Sequence, residues 1–165
     1  MINTRRATIC GLLLMAVVGA ASGTAQTVTP VPQSGVFARP IISELVERLE
    51  NVRYIDQGDP GRSPGDLIVW GPNPLYDAEN VLDTGATTQG LCIAINAGAD
   101  CMLVETITFE TGGTLDIRGM RPGEPVASEW TIVGGSGSFR GVTGTVTVSP
   151  TADPTIWARR FEFWI

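Results

Sequence analysis

From Val52 to the C-terminus, apolar and polar residues fall into short runs with a period near two, broken by glycine and proline. Such runs predict β-strands bounded by turns. Val52 to Ile55, Asp66 to Trp70, Thr114 to Arg118, Trp130 to Val133, Thr145 to Val148 and Ile156 to Trp164 read as strands. Gly90 to Asn96 and Cys101 to Glu110 read as a hairpin around an Asn-Ala-Gly turn. Between these runs, 59–65 is a turn-rich loop, Gly71-Pro-Asn-Pro74 breaks the chain, and Met120 to Pro125 is an irregular excursion. In Trp130 to Ser149, the glycines Gly134, Gly135 and Gly137 supply the backbone freedom of a tight turn, and Phe139 is expected to fold back onto the core. Ahead of the strands the period changes. Ile41, Ile42, Leu45, Val46 and Leu49 lie at helical spacing, with Glu44, Glu47 and Arg48 mostly opposite, and predict a short helix over 41–50. Thr29-Pro-Val-Pro32 and Arg39-Pro40 make 26–40 a linker.

The N-terminal pattern predicts processing. Arg5 and Arg6 precede an apolar run from Ile9 to Val18, and Gly23-Thr-Ala25 supplies small residues at a cleavage point. Residues 1–25 therefore read as a signal peptide, with Gln26 as the new N-terminus and a secreted or periplasmic product. Residues 26–51 are linker and helix, and 52–165 form one β domain. No further apolar stretch is long enough to span a membrane.

Charge and composition narrow the chemistry. Loss of Arg5 and Arg6 leaves 9 arginines against 17 acids and moves the net charge from −6 to −8. A nucleic-acid or anionic-membrane surface is disfavoured, because phosphate binding needs clustered positive charge. The chain has no His and no Lys. Ser–His triads, histidine metal sites, lysine Schiff bases and P-loop chemistry are excluded, and no cofactor or metal is expected. Acid–base work would fall to Asp, Glu, Tyr or Cys. Two cysteines follow the signal peptide, Cys92 and Cys101, one on each arm of the predicted hairpin. An exported protein favours a disulfide between them, worth about 2–3 kcal/mol for so short a loop. A reactive thiol is the alternative.

Short strands at near-even spacing suggest a small antiparallel barrel or sandwich. The glycine-rich segment Trp130 to Ser149, together with Pro64-Gly-Asp-Leu67, Leu75-Tyr-Asp77 and Gln89-Gly-Leu-Cys92, resembles allene oxide cyclases and dirigent proteins over residues 52 to 165. The resemblance implies a closed, eight-stranded antiparallel β-barrel. It implies a lumen that binds a small apolar or amphipathic molecule and steers a cofactor-free cyclisation or isomerisation, and a homotrimer. Two-sided apolar strands such as Trp130-Thr-Ile-Val133 agree with a partly covered exterior. A carrier or a protein-interaction module that keeps only the barrel is the alternative.

Carried over residue by residue, the cyclase pattern places its polar asparagine at Asn73, its water-holding proline at Pro64 and its pocket cysteine at Cys92. Its first-strand acid falls at Tyr54, with Asp56 two residues on and on the same face. Its pocket tyrosine falls at Arg121. The catalytic candidates are therefore Asp56, Asn73 and Pro64, and the ligand-binding candidates are Tyr54 and, from its place between Val104 and Thr106 in a central strand, Glu105. Further charged residues inside predicted strands are Asp116, Arg118, Glu129, Arg159, Arg160 and Glu162. For each of these, a solvated outer face is the favoured reading.

Overall fold

The computed structural model describes residues 39–164. The signal-peptide reading of 1–25 and most of the linker lie outside them. The described residues form nine strands and no helix: β1 (Ile41–Arg48), β2 (Val52–Ile55), β3 (Leu67–Asp77), β4 (Asp83–Ala94), β5 (Cys101–Thr108), β6 (Gly113–Arg121), β7 (Ser128–Gly137), β8 (Thr143–Pro150) and β9 (Ile156–Trp164). They make one antiparallel sheet in the order β1-β9-β8-β7-β6-β5-β4-β3-β2, and β1 also pairs β3. That last pairing, Leu45 to Glu47 against Asp77 to Leu75, closes an eight-stranded barrel. The first half of β3 pairs β2 instead, which adds a ninth strand at one end.

The helix expected over 41–50 is a strand. All eight residues of β1 register against β9, from Ile41 opposite Phe163 to Arg48 opposite Ile156. So short a segment gains little from its own helical hydrogen bonds. Two sheet ladders and the β-branched Ile41, Ile42 and Val46 outweigh its helical spacing. The expected break at Gly71 to Pro74 is a bulge inside β3. The register skips between Trp70 and Asn73, around a cis Gly71–Pro72 bond. The extra residue resets the alternation, so that Trp70 and Asn73 both reach inward.

The glycine turn also sits later than expected. Gly134 to Gly137 belong to β7, and the chain reverses over 138–141. The glycines serve close approach. A β-carbon on Gly135 would run into the Thr114 carbonyl and lie 2.9 Å from Phe139, and Gly137 has φ +57. Phe139 folds back as expected. Its ring centroid lies 4.4 Å from that of Phe109 and 6.5 Å from that of Phe163.

Inward residues form three layers along the barrel axis. Leu75, Ile107, Leu115, Val142, Phe161 and Phe163 are buried at the end carrying this turn. A charged layer occupies the middle. At the far end the starts of β3, β5, β7 and β9 meet the ends of β4, β6 and β8.

Candidate functional site

The middle layer is built from five strands. Arg159 alternates in phase with Trp157, Phe161 and Phe163 on β9, and this phase points it into the lumen. Its guanidinium bridges two carboxylates. Nη2 donates to Glu47 Oε2 at 2.5 Å, and Nη1 and Nη2 donate to Glu105 Oε1 and Oε2 at 2.6 and 2.8 Å. The three side chains are almost wholly buried. Asn73 Nδ2 donates to Glu47 Oε1 at 3.0 Å, and the Thr88 hydroxyl donates to the same atom. Trp70 Nε1 donates to Glu105 Oε2 at 3.2 Å. Asn73 Oδ1 accepts from the backbone N–H groups of Glu50 and Asn51, tying the β1–β2 connection to the lumen.

Electrostatics separates the two acids. Burial pushes Glu47 up, but the charge of Arg159 and the donors around it outweigh burial and leave its pKa lowered. Burial pushes Glu105 up and prevails over the Arg159 charge. Burial works against the Arg159 charge, but its two carboxylates raise its pKa overall.

Above this floor is a cavity of about 240 Å³ that opens at the β2 end of the barrel. Its walls include Trp70, Trp130, Trp157, Ile68 and Val148, with Tyr54 and Arg121 also lining it and Glu47 and Arg159 beneath. Small residues seat the indoles. A β-carbon on Gly90 or Gly119 would lie 2.6 Å from the ring of Trp70 or Trp130. The Arg159 guanidinium carbon lies 5.5 Å from the Trp130 ring, and that of Arg121 lies 5.5 Å from the Trp157 ring. The Cys92–Cys101 disulfide, with Cα atoms 5.5 Å apart, ties β4 to β5 beside Arg121, the register partner of Cys101. Cys92 is therefore no free thiol here.

The candidate residues separate. Asn73 and Glu105 meet in the buried network and do not line the cavity themselves. Tyr54 lines the cavity and is 51% exposed. Its hydroxyl donates to Asp66. That bond pushes the Tyr54 pKa up to about 12. Asp66 is pushed down to about 2, chiefly by the Gln57 N–H, then by Tyr54 and the Ser63 N–H. Asp56 is exposed and accepts from the Gly61 N–H in its own loop. Neither it nor Pro64 lines the cavity. Asp116, Arg118, Glu129 and Arg160 are exposed.

Sequence reasoning missed Glu47 and Trp70 as site residues. The solvated outer face it favoured for Arg159 is wrong, since that side chain is buried in the lumen between two carboxylates. It reached Arg121 only through the resemblance, as the place of the family's pocket tyrosine. Glu47 was hidden by the helical spacing of its segment, and Arg121 by the turn residues after it. The phase of Arg159 with three aromatics on β9, and of Glu105 with Leu103 and Ile107 on β5, was the available signal for the rest. Among the described residues, no group of three or more Cys, Asp or Glu side chains could hold a metal. No helix there is long and apolar enough to cross a membrane.

The architecture is thus a closed β-barrel with one sealed end and one open chamber. The family model for dirigent-like proteins matches residues 62–160, and the chain belongs to this family. No curated protein matches the sequence. Among solved structures, pyocyanin demethylase is similar at 21% identity and TM-score 0.66, over 75% of this chain and 100% of that one. A pterocarpan synthase dirigent protein is 20% identical, with TM-score 0.60, over 85% and 98% of the two chains. A Diels Alderase from Streptomyces koyangensis is 22% identical, with TM-score 0.56, over 78% and 69%. At these identities the likeness is one of fold.

Proposed function

We propose that the chamber binds a small, largely apolar aromatic molecule and holds it in one conformer for a cofactor-free cyclisation or isomerisation. The chamber itself carries this reading: about 240 Å³ walled by three tryptophans over a fully paired ionic floor. Pockets with apolar walls and a few placed polar groups suit such ligands. A reactive substrate needs orientation and exclusion of water more than strong acid–base groups. The names of the structural neighbours, a demethylase, a pterocarpan synthase and a Diels Alderase, are compatible with small-molecule chemistry in this fold.

In this reading Asn73 is a positioning residue that orients Glu47, and Glu105 does the same for Arg159 and Trp70. Tyr54 contacts ligand at the mouth. Asp56 and Pro64 belong to the 56–66 loop that Asp66 holds against Tyr54. The protein is exported, with residues 1–25 removed. An exposed apolar stripe supports assembly with further copies, in the trimer that the resemblance implies. Leu91 faces Val104 across β4 and β5, and Met102 faces both Ile93 and Met120.

Calorimetric titration with the neutral probe methyl 2-naphthoate tests the chamber. Saturable binding is expected, weakened more than about tenfold in Ile68→Trp, which fills the cavity. Absence of binding, or equal binding to the filled variant, would overturn the reading.

A further inference from the structure

The chamber's unused polar capacity is one-sided. Glu47, the carboxylate beneath it, already accepts from Asn73, Thr88 and Arg159. The Tyr54 hydroxyl is committed to Asp66. What remains is donor capacity. The indole nitrogens of Trp130 and Trp157 have no hydrogen-bond partner, but they are buried away from the chamber's open space and are not offered to a ligand. Arg121 is half-buried on the chamber wall against the Trp157 ring. Among the described residues no carboxylate pairs with it, although the chain has 17 acids against 11 basic residues. Burial and the nearby charge of Arg62 both hold its pKa below arginine's usual value. A half-buried cation facing another cation gains from an incoming anion.

We propose that the chamber selects ligands in which a flat apolar body carries an anionic oxygen group, a carboxylate or phenolate, with Arg121 as the residue that receives it. The body packs among Trp70, Trp130 and Trp157, and the anion faces the Arg121 guanidinium at the mouth. This deepens the proposed function and rests on it. Arg121 is a specificity residue, because the floor's one cation, Arg159, already bridges two carboxylates.

The test compares 2-naphthoate with methyl 2-naphthoate, which share a ring system and differ in charge. Both are titrated calorimetrically into the full-length protein and into Arg121→Gln and Arg121→Lys. The wild type should bind the acid about tenfold more tightly than the ester, the scale of a charge-assisted hydrogen bond. Arg121→Gln should bind the two alike, and a thermal melt matching the wild type shows that the chamber remains folded. Arg121→Lys should keep part of the preference. Equal wild-type affinities, or an acid preference that persists in Arg121→Gln, would overturn the anion proposal and leave the chamber reading intact. Binding of neither probe would remove both.

Discussion

The two ends of this barrel share the same strands and have opposite interiors. At the β7–β8 turn, Phe139 stacks on Phe109 and meets Phe163 edge-on over a buried aliphatic layer. At the other end, three equally large tryptophans leave a chamber open. Both ends are rich in aromatic residues, so hydrophobicity alone does not decide which one fills. The charged layer between them does. Arg159, Glu47 and Glu105 satisfy one another and fix Trp70 through its N–H, so the indoles stand apart above a rigid floor. At the sealed end the buried side chains Leu75, Ile107, Leu115, Val142, Phe161 and Phe163 are apolar, and the turn folds inward.

Removing the floor's cation should have the largest effect. Arg159→Met leaves two buried carboxylates without their counter-charge and should cost about 3–5 kcal/mol in denaturant unfolding. Replacing all three charges together by apolar residues of similar size should cost far less, since the penalty comes from unpaired charge. If Arg159→Met unfolds like wild type, the middle layer does not organise the barrel.

The ends should then differ in their tolerance of added bulk. Gly135→Val and Gly137→Val at the sealed end should each cost about 1–3 kcal/mol, from backbone collision at the first and positive φ at the second. Ser136→Val, on an exposed position between them, should change stability by less than about 0.5 kcal/mol. Ile68→Trp at the open end should be tolerated because it enters existing space. Thermal melts of the four variants decide this. Equal losses at both ends would erase the contrast.

The smallest effect is on pH dependence. Glu47 has a lowered folded pKa, so its contribution is fully present above about pH 4.5 and fades as pH falls through the folded value. Asp66 acts in the same sense, with its loss extending down to about pH 2. Glu105 has a raised pKa, so its contribution is full in acid and declines as pH rises through the folded value. Urea midpoints across acid pH should therefore fall less steeply in Glu47→Gln than in the wild type. An unchanged slope would mean that Glu47 is not held ionised by Arg159.

The sealed end was the more legible from sequence, because its determinants are local. A glycine run, a turn and Phe139 lie within a few residues of one another, though the turn itself sits one step later than the glycines suggest. The disulfide was legible for the same reason. The floor was not, because Glu47 and Arg159 lie 112 positions apart and meet only when β1 and β9 pair. Local spacing made β1 look helical and turned Glu47 outward. Trp70 was obscured by the β3 bulge, which breaks the alternation that would have placed Asn73 beside it. Arg121 gave no strand signal, since Pro122 and Gly123 follow it directly.

The central claim, one sealed end and one chamber that accepts ligand, is tested most directly by the four indole N–H resonances of the ¹⁵N-labelled protein. Trp70, Trp130 and Trp157 line the chamber, whereas Trp164 sits at the sealed end, opposite Thr143. On addition of 2-naphthoate, the Trp130 and Trp157 signals should move most, Trp70 should follow through its bond to Glu105, and Trp164 should stay in place. A titration that moves Trp164 alone, or leaves all four unmoved at saturating probe, would contradict the account.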